Sequence, residues 1–182
     1  MGGNPSLFFC IMKAMNKLLA KKINMMARED KKMRRFFEKT NIWNAGIDKK
    51  NTAELKKIIH KYGWPTIPLV GKKASFNAWL IAQHADRDRK FQMEVLKLLI
   101  TIDKKNSGDI NRAHIAYLTD RFLVAKKKRQ IFGTQFYFDK NHMLQLNPLK
   151  NRRGINKLRK EYNLPTLEFH LKEAMEYNSS KK

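Results

Sequence analysis

The chain has 182 residues, and its 39 Lys and Arg against 16 Asp and Glu give a net charge of +23 at pH 7. Hydrophobic residues make up 42%, enough for a core, while so basic a surface attracts polyanions such as nucleic acid, anionic lipid or acidic protein. The single cysteine, Cys10, excludes an internal disulfide and a zinc site of several thiolates, and no apolar run approaches the roughly 18 residues of a membrane span.

The N-terminal segment has two interpretations. Gly2 stands in a loose pattern for N-myristoylation, and Cys10 could accept a second lipid close to several lysines. Alternatively, residues 1–19 are a leader that starts a helix. No secretory signal is evident, and with a single cysteine the chain is predicted to be cytoplasmic. Residues 20–178 are predicted to be a single domain, followed by a tail over 179–182.

Helical periodicity predicts a long helix over residues 10–39. On it, Asp30 and Arg34 are four residues apart, and an ordinary surface ion pair explains them. Thr52 is the predicted N-cap of a second helix over 53–62.

The next helix follows a proline-containing segment that cannot be helical throughout. Ser75 is its predicted N-cap, and it carries the segment Gln83-His84-Ala85-Asp86. Further helices are predicted over 91–102, 111–122, 155–162 and 166–177. Alternating, aromatic-rich residues over 130–138, a polar turn and a return over 143–146 predict a β-hairpin. The fold class is therefore mainly α (α+β), a helical domain with a small hairpin in the C-terminal half.

The segment Gln83-His84-Ala85-Asp86 places polar side chains at the end of the apolar run 76–82. A buried polar group without a partner costs about 1–3 kcal/mol, so His84 is either a hydrogen-bonded structural histidine or part of a site. In a site, His84 would be a general acid/base, with Asp86 or Asp120 orienting it. On a helix His84 and Asp86 point about 200° apart, which argues against one metal ion bound by both.

The pair Asp120-Arg121 ends a predicted helix just before the hairpin. It is either a buried ion pair or an anion clamp, since a guanidinium offers a planar, always charged fork. Gln130 and Gln135 would face opposite sides of a regular strand, but a bulge at Gly133 would place them on one face. There, together with Thr134, they could contact a substrate. The alternative is that they are solvent-facing polar residues of the strand.

Basic runs flank the hairpin at residues 126–129, 150–153 and 157–160. Beside the hairpin aromatics they could bind single-stranded nucleic acid through phosphate neutralisation and base stacking. The alternative is a generally lysine-rich solvent surface, because the charges are spread over nearly the whole chain.

Eight short motifs occur in order along the chain: Asp30 with Arg34, Gly63-Trp64-Pro65, Val70-Gly71, Gln83-His84-Ala85-Asp86, Asp120-Arg121, Gln130-Ile131-Phe132-Gly133-Thr134-Gln135, Arg159, and Asn163-Leu164. Taken together they resemble an uncharacterised bacterial family, a domain of unknown function, over about residues 20–168. Leu158 departs from the family, standing where an arginine is common, and so does Asn163, which replaces glycine but also tolerates left-handed geometry. The resemblance implies candidate positions and no reaction.

Two functions follow as hypotheses. The first is a metal-independent enzyme or ligand-binding pocket for a small anionic, nucleotide-like molecule, of hydrolase or transferase type, with any cofactor left open. Its predicted residues converge on one cavity: Gln83, His84, Asp86, Asp120, Arg121, Gln130, Thr134 and Gln135. The second is a basic module that binds nucleic acid or an anionic membrane surface.

Overall fold

The structure of the protein, a computed structural model, describes the backbone of residues 5–179 and the side chains of residues 16–179. Gly2 and the Cys10 side chain, on which the lipid-anchor prediction falls, lie outside this part. The described residues divide into two compact units, the first ending at Ile110 and the second beginning at Asn111. The predicted outer limits of the domain, residues 20 and 178, stay predictions.

The first unit is helical. Its helices are α1 (Pro5–Thr40), α2 (Ala45–Tyr62), α3 (Ile67–His84) and α4 (Arg89–Lys105), followed by a 3-10 turn at Ser107–Asp109. Helix α1 packs along α3 and α2, and α4 packs on α3. Ile23, Leu55, Ala78 and Leu99 are fully buried, one from each helix, because the apolar face of each amphipathic helix turns inward.

Two predicted helix caps are wrong. Helix α2 begins at Ala45, where the Asn44 side chain accepts a hydrogen bond of 2.9 Å from the Gly46 N–H. Thr52 therefore lies inside α2 and is buried. Ser75 lies inside α3, which begins at Ile67 and is interrupted at Gly71, a residue with φ of 80°. The Ser75 hydroxyl is buried and has no hydrogen-bond partner among the described residues.

The second unit consists of α5 (Ala113–Ala125), the antiparallel strands β1 (Phe136–Phe138) and β2 (Leu144–Leu146), α6 (Ile155–Glu161) and α7 (Leu167–Ser179). Tyr137 is paired with Gln145 at the centre of the hairpin. A hydrophobic cluster joins α5 to the segments that follow it, with Ala116, Phe132 and Leu164 at its centre. The prediction of a mainly α fold with one hairpin in the C-terminal half is confirmed.

The predicted first strand is wrong over residues 130–135. This segment is a loop, which we call the 130–135 loop, and Gln130 forms only an isolated parallel bridge with Leu149. Gly133 has φ of 71°, outside strand geometry. The segment does not form a strand because its backbone N–H groups donate to the Asp120 carboxylate and not to a partner strand.

Among the described residues, no helix is both long enough and apolar enough to cross a membrane.

Candidate functional site

His84 lies at the C-terminal end of α3 and is bound there by two side chains of α1. Its Nδ1 is 3.0 Å from Asp30 Oδ2, and Arg34 Nε is 3.0 Å from the same nitrogen. Arg34 Nε also donates to Asp30 Oδ1 over 3.2 Å. Asp30 and Arg34 are one helical turn apart and therefore share the face that packs on α3.

The Asp30 and Arg34 contacts both fall on Nδ1 of His84. In one tautomer Nδ1–H donates to the Asp30 carboxylate, and in the other Nδ1 accepts from Arg34 Nε–H. The other ring nitrogen, Nε2, makes no hydrogen bond to any residue in the described part of the chain.

The spacing predicted an ordinary surface ion pair between Asp30 and Arg34. The pair forms, with Arg34 Nη2 3.1 Å from Asp30 Oδ1, but Asp30 is buried and only 2% exposed. Burial alone would raise the pKa of its carboxyl, but the hydrogen bonds and positive charge of His84 and Arg34 outweigh burial and hold that pKa below its usual value. Asp30 is therefore an ionised, buried carboxylate at neutral pH.

Arg34 extends this cluster toward α2. Its Nη2 lies 3.1 Å from Asp48 Oδ1, and its guanidinium carbon lies 5.1 Å from the centre of the Trp43 ring. Burial raises the pKa of the Asp48 carboxyl despite the opposing charge of Arg34, and the negative charge of Asp30 adds to the increase. The guanidinium thus connects two carboxylates and an aromatic ring.

These groups open onto a cleft of about 660 Å³. Trp43 is 38% exposed on its wall, whereas Trp64 and Trp79 are buried in the core. Lys49 and Arg87 also line the cleft and form no ion pair with any described residue. The other charged side chains of the lining are Arg34, Asp48, Lys56, Asp86 and Asp88.

The predicted residues of the first unit lie at or beside this cleft. Asp86 lines it, and its Oδ1 accepts hydrogen bonds from Arg89 at 3.0 Å and from Gln92 at 3.2 Å. The same Gln92 amide also donates to the Gln83 carbonyl at 2.8 Å. The buried side-chain Oε1 of Gln83 has no partner among the described residues. The carboxylate that contacts His84 Nδ1 is Asp30, where the sequence predicted Asp86 or Asp120.

In the second unit, Asp120 is fully buried and organises the 130–135 loop. Its carboxylate accepts hydrogen bonds from the backbone N–H groups of Ile131, Phe132 and Thr134 at 2.7 to 3.1 Å. It also accepts one from the Thr134 hydroxyl at 3.0 Å. Four donors converge on two oxygens, which satisfies the buried charge within the fold.

The two glutamines contact the same loop and, through Gln130, the Asn147 carbonyl after β2. The Gln130 amide donates to the carbonyls of Gln135 and Asn147, and its oxygen accepts from the Gln135 N–H at 3.0 Å. The Gln135 amide donates to both oxygens of Thr134. Their side chains therefore hold the two ends of the loop together and tie the loop to Asn147.

Arg159 on α6 is the largest fully buried side chain of the second unit, and it binds the same loop from the other side. It donates to the carbonyls of Phe132, Gly133 and Pro165. Arg121 follows Asp120 on α5 and is half-buried.

The eight predicted site residues thus fall into both units, three in the first and five in the second. The convergence of all eight on one cavity stays a prediction. Sequence reasoning missed Trp43, Asp48 and Lys49 in the cleft. The only local signal in the sequence is a tryptophan in the short segment that joins α1 to α2.

No group of three or more His, Cys, Asp or Glu side chains is arranged to hold a metal ion in the part of the chain that the structure describes.

Comparison with known proteins assigns the chain to a family. No curated protein and no solved structure matches the chain. The model of a family of unknown function, DUF6624, matches residues 37–179, a range that contains the Gln-His-Ala-Asp segment, Asp120-Arg121 and the 130–135 loop. Asp30 and Arg34 precede it. The match covers most of the length of the chain, and the chain therefore belongs to the DUF6624 family.

Proposed function

We propose that the cleft around His84 binds a small anionic molecule of nucleotide-like size, and that His84 acts on it as a general acid/base. One observation carries this proposal. A buried, ionised Asp30 holds Nδ1 of an imidazole whose Nε2 is unpaired among the described residues and whose ring lines a cleft. Oriented in this way, Nε2 can take a proton from a bound group and return it.

The roles of the surrounding residues follow from their charge and shape. Lys49 and Arg87, which are not ion-paired to described residues, would attract a phosphate or carboxylate. Trp43 offers an aromatic face for a base or another flat ring. Small-molecule sites are typically about 300–1,000 Å³, and the cleft falls within that range.

This proposal depends on the first unit. Asp86 lines the cleft and could accept a hydrogen bond from the ligand, and Gln83 precedes His84 with an unpaired buried oxygen. Asp120, Gln130, Thr134 and Gln135 have partners inside their loop, and with Arg121 their part in ligand binding stays a prediction.

The test is a titration with AMP, adenosine and inorganic phosphate, followed by tryptophan fluorescence. Trp43 is the exposed tryptophan at the cleft, so AMP should change the emission saturably, more tightly than adenosine. Trp43→Phe should remove the change, and Lys49→Gln should weaken AMP binding several-fold. Lys57→Gln, at an exposed lysine of the same helix that is not in the cleft lining, is the matched control.

The role of His84 has its own readout. Imidazole ¹⁵N spectra report which nitrogen of His84 carries the hydrogen in the free protein, and AMP should shift the Nε2 resonance. Asp30→Asn should redistribute the hydrogen between the two nitrogens. If none of the three compounds changes either the fluorescence or the Nε2 resonance, the proposed ligand class is wrong.

The cytoplasmic location and the lipid anchor at Gly2 and Cys10 stay predictions from the sequence.

A further inference from the structure

A second recess of about 430 Å³ lies between α1 and α3, and it shares no lining residue with the histidine cleft. We call it the basic groove. Its lining contains no acidic residue among those described. Its five cations are Arg28, Lys31, Lys32 and Arg35 on α1, and Lys73 on α3.

The basic groove is a cluster of like charges. None of the five forms an ion pair with a described residue, whereas nearby Lys22, Lys50 and Lys56 are paired with acidic side chains. Like charges three and four residues apart on one helix, such as Arg28 and Lys32, repel each other. This repulsion lowers the stability of the folded unit, and a bound anion would raise it again by neutralising the charges.

The groove has the shape and polarity for an elongated anion. Lys17 and Lys21 continue the same face of α1 at helical spacing, so the cationic face extends about 27 Å from Lys17 to Arg35. Asn77 is buried within the groove and donates to Asn24 Oδ1 over 2.7 Å. Two amides at the bottom of a cationic groove offer hydrogen bonds to phosphate or base-edge atoms.

We propose that the basic groove binds the phosphate backbone of a single-stranded nucleic acid. A bilayer surface is flat and a duplex is rigid, whereas a flexible single strand can follow a recess between two helices. Phe76 is 42% exposed beside Lys31, whose Nζ is 5.9 Å from the ring centre, so a base could stack there.

The test measures binding of a short, labelled oligothymidylate by fluorescence anisotropy over a series of salt concentrations. Each phosphate neutralised on a single strand contributes about −0.7 to the slope of log K against log salt, so five contacts give about −3.5. The double variant Arg28→Gln/Lys32→Gln should reduce the slope to about −2 and weaken binding at every salt concentration.

The matched control is Lys128→Gln/Arg129→Gln. It removes the same two charge types from the exposed basic run where the sequence placed a nucleic-acid patch. This variant should keep the wild-type slope. All four side chains are exposed, and circular dichroism should show unchanged helicity in both variants.

Two outcomes would overturn the proposal. If both double variants reduce the slope equally, binding follows the net charge and not the groove. If phosphatidylserine vesicles bind with the same dependence on Arg28 and Lys32 while the oligonucleotide does not bind, the groove serves a membrane surface. The response of Trp43 to AMP should be unchanged by Arg28→Gln/Lys32→Gln, so this proposal and that for the histidine cleft fail or succeed separately.

Discussion

Asp30 in the first unit and Asp120 in the second are both almost fully buried, yet they bind different kinds of donor. Asp120 receives three backbone N–H groups and a hydroxyl, and its negative charge holds a loop in place. Asp30 receives an imidazole and a guanidinium. Because both partners of Asp30 are side chains that line a cleft, its negative charge acts on groups that a ligand in the cleft could contact.

His84 in the first unit and His114 in the second show a similar contrast. His84 has a buried carboxylate on one nitrogen and lines a cleft, with its side chain 14% exposed. His114 on α5 is 4% exposed, and burial lowers its pKa from 6.5 to about 4. A buried titratable group is thus not by itself evidence of a site. A better indication of a site is that the group, or the side chains bound to it, line a cleft.

The largest expected effect is a difference between Asp120→Asn and Asp30→Asn. At position 120 the new NH₂ group would face backbone N–H donors, and the free energy of unfolding should fall by about 3–5 kcal/mol. At position 30 the remaining oxygen can still accept from Arg34, so the loss should be about 1–2 kcal/mol. Urea unfolding followed by circular dichroism measures both.

The location of the loss provides a second check. All three tryptophans precede Ile110, so their fluorescence reports on the first unit, and hydrogen exchange of residues 130–135 reports on the loop. Asp120→Asn should accelerate exchange in the loop. Equal losses from the two variants would mean that the buried carboxylates are not used differently.

His114 should make stability depend on pH. Because its folded-state pKa is lower than the unfolded value of 6.5, the unfolded chain takes up a proton first as the pH falls. The free energy of unfolding should therefore decline between about pH 6.5 and pH 4, by about 3 kcal/mol at most. Urea unfolding at pH 7 and at pH 4 measures it.

Carboxylates contribute to the same decline, and so does His170, whose pKa is also lowered by burial. Variants are therefore needed to measure the share of His114. His114→Leu should flatten the pH dependence. His142→Asn replaces an exposed histidine of the hairpin turn with a residue that tolerates its φ of 55°, and it should leave the pH dependence unchanged. If His114→Leu shows the full wild-type decline, burial of His114 is not its cause.

Helical periodicity predicted most of the fold because amphipathic spacing survives in a single sequence. It failed where local chemistry competes. The N-terminal part of α2 carries Asp48, Lys49, Lys50 and Asn51, so its periodicity is hidden, and Thr52 looked like the cap. The alternation over residues 130–135 looked like a strand because the hydrogen bonds to Asp120 come from a distant helix.

The candidate site was only partly predictable for a related reason. His84 was identified because a polar residue ended an apolar run, but its partner Asp30 is 54 residues away. The spacing of Asp30 and Arg34 fits a surface ion pair equally well, and only packing of α1 on α3 buries the aspartate. Trp43 reaches the cleft from the turn between α1 and α2, which no periodic pattern specifies, and Lys49 reaches it from the polar N-terminal part of α2.

The smallest expected effect is the difference in stability between Gly133→Ala and Gly154→Ala. It tests how rigidly Asp120 and Arg159 hold the loop. The two glycines have nearly the same φ, 71° and 73°, so both variants should lose about 1–2 kcal/mol for the left-handed conformation. Only at Gly133 would the added Cβ meet a buried neighbour, Leu167 Cδ1, at 2.8 Å, whereas Gly154 has nothing within 4 Å.

Gly133→Ala should therefore lose about 1–3 kcal/mol more than Gly154→Ala in urea unfolding, because crowding is added to backbone strain. The excess requires that the loop cannot retreat from Leu167, since the Arg159 guanidinium binds the Gly133 carbonyl and Asp120 binds the amides on either side. Equal losses would mean that the loop moves despite these contacts. In that case its glutamines and Thr134 could turn toward a ligand, and the contrast between the two buried aspartates would be weaker than their hydrogen bonds indicate.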